Sequence, residues 1–234
     1  MSNDNVIERL WKLESSIDKM VADGVRDPEN VCNYLQKIVD DPDFVSHPKE
    51  TRRNTKWHRK WEKFYQKVFG LKVDLASVVI PEKKSDFGWV VIVAKGLTLN
   101  QVWAKCKEKF AVHSYFGNNL DEIVLVNDRT TETAYAKRFR NRVEADEELK
   151  NISANQLAKR NIQSITLLER LLLELWYSWK TGGQHLDIQN VTLCAGSRYS
   201  DGCIPDVYWD NDELKVYYYD PDNHDDDLRA RAAV

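Results

Sequence analysis

Four cysteines among 234 residues, Cys32, Cys106, Cys194 and Cys203, lie far apart with no paired spacing, which indicates neither a disulfide framework nor a zinc site. Nine glycines and six prolines form no low-complexity linker, and no internal repeat is visible. No stretch approaches the roughly 20 uninterrupted apolar residues of a membrane span, and the opening MSNDNVIERLWKLE lacks the basic and apolar regions of a signal peptide. A soluble, cytoplasmic protein with no membrane partner is expected. The motifs GxSxG, HExxH, CxxC and GxGxxG are absent, and AGSRYSDG has no Gly-Lys-Ser/Thr ending. Nucleophilic catalysis, dinucleotide binding and a P-loop are therefore unsupported, and no cofactor or metal is expected.

Apolar residues make up 42% of the chain and aromatics 11%, enough to bury a core, and the length fits one or two domains. The net charge of −3 excludes a uniformly basic protein but hides a sorting of charge. Residues 1–48 carry five Lys and Arg against ten Asp and Glu, 49–72 nine against two, and 184–234 four against eleven.

The first seventy residues read as three helices. Val6, Ile7, Leu10, Leu13, Ile17, Met20 and Val21 recur at helical spacing. Asp27-Pro28 is a helix start, with Val31, Tyr34, Leu35 and Ile38 facing inward and Asp41-Pro42 as the stop. A third helix over 51–69 puts Trp57, Trp61, Phe64, Tyr65 and Val68 on one stripe and closes at Gly70. Beyond it the period becomes extended: LKVDLASVVI and FGWVVIVA predict a hairpin around EKKSD. TLNQVWAKCKEKF predicts a helix, EIVLV a strand, TETAYAKRFRNRVEADEEL a second helix, and NVTLC, IPDVYW and ELKVYYY strands, before a short closing helix. Segment 164–180 is apolar over most of its circumference and predicts a helix at the centre of the main domain. The expected fold class is α+β: an N-terminal helical unit, 1–70, then a larger domain, 71–234, with a mostly antiparallel sheet packed on that buried helix.

The segments VEADEELKNISANQL, ITLLERLLLEL and HLDIQNVTLCAGSRYSDG resemble a family of bacterial proteins with no assigned activity, over roughly Phe87 to the C-terminus. The resemblance implies no fold, ligand or catalytic residue.

Two patterns carry chemistry. KETRRNTKWHRKWEKFYQKVFGLK gathers Lys49, Arg52, Arg53, Lys56, Arg59, Lys60, Lys63, Lys67 and Lys72. On a helical projection these cations lie opposite the aromatic stripe, so Arg52, Arg53, Lys56, Arg59, Lys60, Lys63 and Lys67 are the expected contacts to DNA or RNA phosphates. The bland reading makes the tryptophans core anchors and the cations a solvated face. Arg138, Arg140 and Arg142 could extend the patch, but Glu144 and Asp146 stand ready to neutralise them. The second pattern, Pro-Asp-Val-Tyr-Trp-Asp-Asn-Asp-Glu-Leu-Lys at 205–215, resembles the signature of PD-(D/E)xK endonucleases. The resemblance would make Asp206 and Glu213 ligands of Mg²⁺ and Lys215 the catalytic lysine, with Glu169 or Glu174 as an upstream acid. Asn211-Asp212 as a two-residue turn argues against it, because Asp206 would then stand four strand positions from the partner of Glu213, roughly 13 Å. The acidic end, Asp220 to Asp227, reads as a solvated turn, and His185 as the cap of the central helix.

A non-enzymatic, nucleic-acid-associated protein is favoured over a hydrolase. A protein-interaction module, with some of the eight tryptophans and ten tyrosines as exposed anchors, is the third alternative.

Overall fold

The computed structural model describes residues 3–25, 27–40 and 55–234, and for residues 3–10, 34, 37 and 38 the backbone alone. The chain divides into two compact units, Met1–Thr51 and Arg52–Val234.

The first unit holds α1 (Asn3–Ala22) and α2 (Pro28–Asp40), the latter opened by Asp27, whose Oδ1 accepts the Asn30 N–H at 2.8 Å. Ile17, Met20, Val25, Val31 and Leu35 line an apolar groove within it. The third helix does not belong there, which moves the boundary expected at residue 70 to residue 51. α3 (Lys56–Phe64) runs into a π turn, Tyr65–Phe69, and ends at Gly70, whose φ of 70° makes the left-handed close. Its apolar stripe is buried in the second unit: Trp61 Nε1 donates to the Val90 carbonyl at 2.8 Å and Tyr65 Oη to that of Ile92 at 2.9 Å. The large aromatic faces of α3 find their burial within this second unit, where Trp61 also stacks on Trp176 at 5.8 Å.

The second unit is α+β, as expected. β1 (Trp89–Val93), buried on both faces, pairs antiparallel with β4 (Tyr135–Phe139). Between them lie α4 (Leu99–Lys109), β2 (Ala111–Ser114), α5 (Leu120–Ile123) and β3 (Val126–Asn127). α6 (Ala154–Lys159) and α7 (Leu167–Thr181) precede β5 (Val191–Leu193), β6 (Ser197–Arg198), β7 (Ile204–Asp210), β8 (Glu213–Tyr219) and β9 (Leu228–Ala230). The main sheet has the order β2-β8-β7-β5-β9 and is mixed: β2 runs parallel to β8 and β9 parallel to β5, while β7 is antiparallel to both its neighbours. One face, through Val207, Leu214 and Val216, joins the core around α7, and the other, through Leu193, Ile204 and Leu228, packs with Leu149, Ile152 and Leu157.

Four expected elements are corrected. Segment 131–149 is not a helix but β4 followed by a loop and a short 3₁₀ turn at Glu147–Leu149, because buried β1 needs a hydrogen-bonded partner along its edge. That pairing displaces the anticipated hairpin strand 71–80, which is irregular and is held instead at Leu75 by Glu62 and at Val78 by His58. The closing segment is β9 rather than a helix, and EIVLV is split between the end of α5 and β3.

α7 is central, as expected, and more deeply than its sequence implied. The polar residues that interrupt it, Thr166, Glu169, Arg170, Glu174 and Ser178, are buried too. Glu169 meets Arg129 at 2.6 Å, and Arg170 meets Asp187 at 2.9 Å and Glu174 at 2.8 Å. Asp187 also takes Arg231 at 2.6 Å. Each of these charges thus has an opposite partner, the condition under which burial is tolerated.

Candidate nucleic-acid interface

The N-terminus of α3 is fixed by a capping box: the Thr55 hydroxyl accepts the Trp57 N–H at 3.2 Å and His58 Nδ1 accepts the Thr55 N–H at 3.0 Å. His58 is itself buried, with Nε2 donating to the Val78 carbonyl at 2.9 Å. With Trp61, Phe64, Tyr65 and Val68 turned inward, geometry leaves Lys56, Arg59, Lys63 and Lys67 exposed on the opposite side. Lys60 is half-buried and lies over the Trp57 ring, 5.1 Å from its centroid. Arg52 and Arg53 lie outside the described residues.

Two more cations join this face from elsewhere in the chain. Trp57 packs against Trp176 of α7 with ring centroids 6.0 Å apart, and Lys180 lies over the Trp176 ring at 4.8 Å. Burial, then the charges of Lys56 and Lys180, pull the Lys60 pKa below the ordinary lysine value. Lys109, at the end of α4, lines a pocket with Lys67. Among the described residues none of Lys56, Arg59, Lys60, Lys63, Lys67, Lys109 and Lys180 is in an ion pair; the one acid on α3, Glu62, is spent on the Leu75 N–H.

The chain matches no family model, no curated protein and no solved structure. Its site therefore rests on the geometry alone.

The other basic residues are committed. Arg140 pairs with Asp146, Arg142 with Glu148 at 2.7 Å, and Arg138 donates to the Pro81 carbonyl at 2.6 Å. The cations of 138–142 are thereby withdrawn from the patch, through loop partners rather than along a helix. The nuclease pattern is taken apart by β-sheet register. Asn211 and Asp212 have φ of 51° and 62° and form the two-residue turn, so Asp210 faces Glu213, Tyr208 faces Lys215 and Asp206 faces Tyr217. Lys215 is bonded to Asp210 at 2.6 Å, while Asp206 is fully buried and neither of its oxygens finds a hydrogen-bond partner in another residue. Burial lifts its pKa to about 8. Glu169 and Glu174 are occupied by Arg129 and Arg170, and among the described residues no group of three His, Cys, Asp or Glu side chains is placed to hold a metal.

His185 follows α7 but does not cap it, a role taken by Gly182. Its Nδ1 contacts Glu174 Oε1 at 2.9 Å and its ring stacks on Trp209 at 3.4 Å. The exposed tyrosines lie at the far edge of the sheet, where Tyr115 and Tyr218 stand 4.8 Å apart.

Lys109, Trp179 and Lys180 were not singled out by the sequence. Their signal was faint: alternate lysines at 105, 107 and 109, and a Trp-Lys pair just before Gly182-Gly183.

Proposed function

We propose that the protein binds nucleic acid through the outward face of α3, using Lys56, Arg59, Lys60, Lys63 and Lys67, extended by Lys109 and Lys180. The observation that carries this reading is the lack of acidic neutralisation among the described residues. Among the described residues seven cations share one side of the unit without an ion pair, whereas the arginines of 138–142 are each partnered. A solvated face of ordinary origin mixes signs. A face of unpaired cations over a rigid aromatic base presents a ready set of phosphate partners, and counterion release supplies the affinity. The absence of a gathered carboxylate site among the described residues favours binding without cleavage.

The test is fluorescence anisotropy with a labelled 20-nucleotide oligomer at low salt. Wild type binds. Reversal of Arg59, Lys63 and Lys67 to Glu abolishes binding while leaving circular dichroism unchanged, because all three side chains are exposed. Equal binding by both proteins removes α3 from the interface.

A further inference from the structure

Along the same helix, a pocket of about 260 Å³ opens between α3, the end of α4 and the end of α7. Lys67, Val68, Lys109, Phe110, Leu175, Ser178 and Trp179 line it. Its composition is unusual for a surface cleft: apolar walls, two ammonium groups, one hydroxyl and no acid. Its volume lies below the roughly 300–1,000 Å³ of drug-sized ligand clefts, so it suits one planar group rather than a whole cofactor.

The walls are held before any ligand arrives. Trp179, 37% exposed, is braced edge-to-face by Phe64 at 5.7 Å. Phe110 is braced by His185 at 5.1 Å and by Trp209 at 5.7 Å. His185 is in turn fixed by Glu174, within the buried charge cluster of α7. An aromatic that must stack on a ligand loses little freedom when its neighbours already fix it.

We infer that this pocket is a base-stacking subsite for single-stranded nucleic acid, with Trp179 taking the face of an unpaired base and Lys67 and Lys109 its flanking phosphates. The inference rests on the reading of α3 as a phosphate-binding face and specifies its substrate. Lys67 belongs both to that face and to the pocket, so a backbone tracked along α3 leads to it, about 10 Å beyond Lys60 at 1.5 Å per residue. Bases in a duplex are already stacked and present only their edges. A strand with splayed bases offers the flat apolar face that such a pocket accepts, with little regard to sequence.

The experiment measures anisotropy of labelled dT20, rU20 and a 20-base-pair duplex with wild type, Trp179→Ala, Trp179→Phe and the α3 charge-reversal variant. Trp179→Ala weakens binding of a single strand about tenfold, leaves duplex binding within twofold and keeps the salt dependence of wild type. Trp179→Phe, which keeps a stacking face, recovers most of the loss. The dT20 and rU20 arms show whether the strand is DNA or RNA. Unchanged single-strand affinity in Trp179→Ala, or equal losses for single strand and duplex, overturns the subsite while charge reversal still reports on α3. Wild type that binds none of the three, or charge reversal without effect, overturns the α3 reading and the subsite with it.

Discussion

Asp206 shows how one side chain can set a pH response without belonging to a site. It sits on β7 facing Tyr217 across the sheet, fully buried, and desolvation raises its pKa to about 8 against about 4 in an unfolded chain. The fold accommodates the neutral acid. Below about pH 4 both states are protonated and the group adds no pH dependence. Between pH 4 and 8 the unfolded carboxyl ionises while the folded one does not, so stability falls as pH rises and levels off above 8. Asp206→Asn, neutral at every pH, should flatten that slope: in urea unfolding at pH 5 and pH 8, wild type loses stability between the two and the variant loses much less. An equal slope in both proteins would show that Asp206 is ionised in the fold.

At the scale of the element, α7 is the organising piece, and its charges are as constrained as its leucines. Asp187 is shared by Arg170 and Arg231 and also accepts from the Thr192 hydroxyl. Asp187→Ala leaves buried Arg231 without its ion-pair partner and Arg170 with Glu174 alone, and a loss of about 3–5 kcal/mol follows. Chemical denaturation measures it; a loss below about 1 kcal/mol would mean that water reaches the cluster. Helices whose signals are local were legible in the sequence: the Asp27-Pro28 start of α2, the Gly70 close after α3, and α7 with its Gly182 stop at φ 76°. So was the β7–β8 register, because Asn211-Asp212 fixes it from within four residues. Segment 131–149 was not legible, since Tyr135, Phe139 and Val143 fit a helical step and nothing nearby reveals that β1 needs an edge partner. The aromatic stripe of α3 was read correctly as buried, yet its burial partner, Trp176, lies more than a hundred residues away.

For the whole molecule, the boundary at residue 51 has a consequence for folding and for function alike. The proposed interface belongs to the large unit, because α3 is stapled to β1 and α7 through Trp61, Tyr65 and Trp176. A fragment beginning at Arg52 should unfold cooperatively and bind nucleic acid, whereas one beginning at Leu71 should be insoluble or molten, with the core around Trp176 open. Calorimetry of the two fragments checks this; cooperative unfolding of the shorter one would put the division back near residue 70. The candidate site was legible only in part for a related reason. The run of cations from Lys49 to Lys72 announces itself, but Lys109, Trp179 and Lys180 reach the same surface only through the packing of α4 and α7 on α3.

The central claim is that the cations on the face of α3 act on phosphates together, and the salt dependence of binding tests it most directly. With five to seven contacts at about 0.7 released counterions each, the logarithm of affinity for a single strand should fall against the logarithm of salt with a slope of roughly −3.5 to −5. Each single replacement, Arg59→Gln, Lys63→Gln or Lys67→Gln, should reduce the slope by about 0.7. A slope near zero, or one that none of the replacements changes, would contradict it.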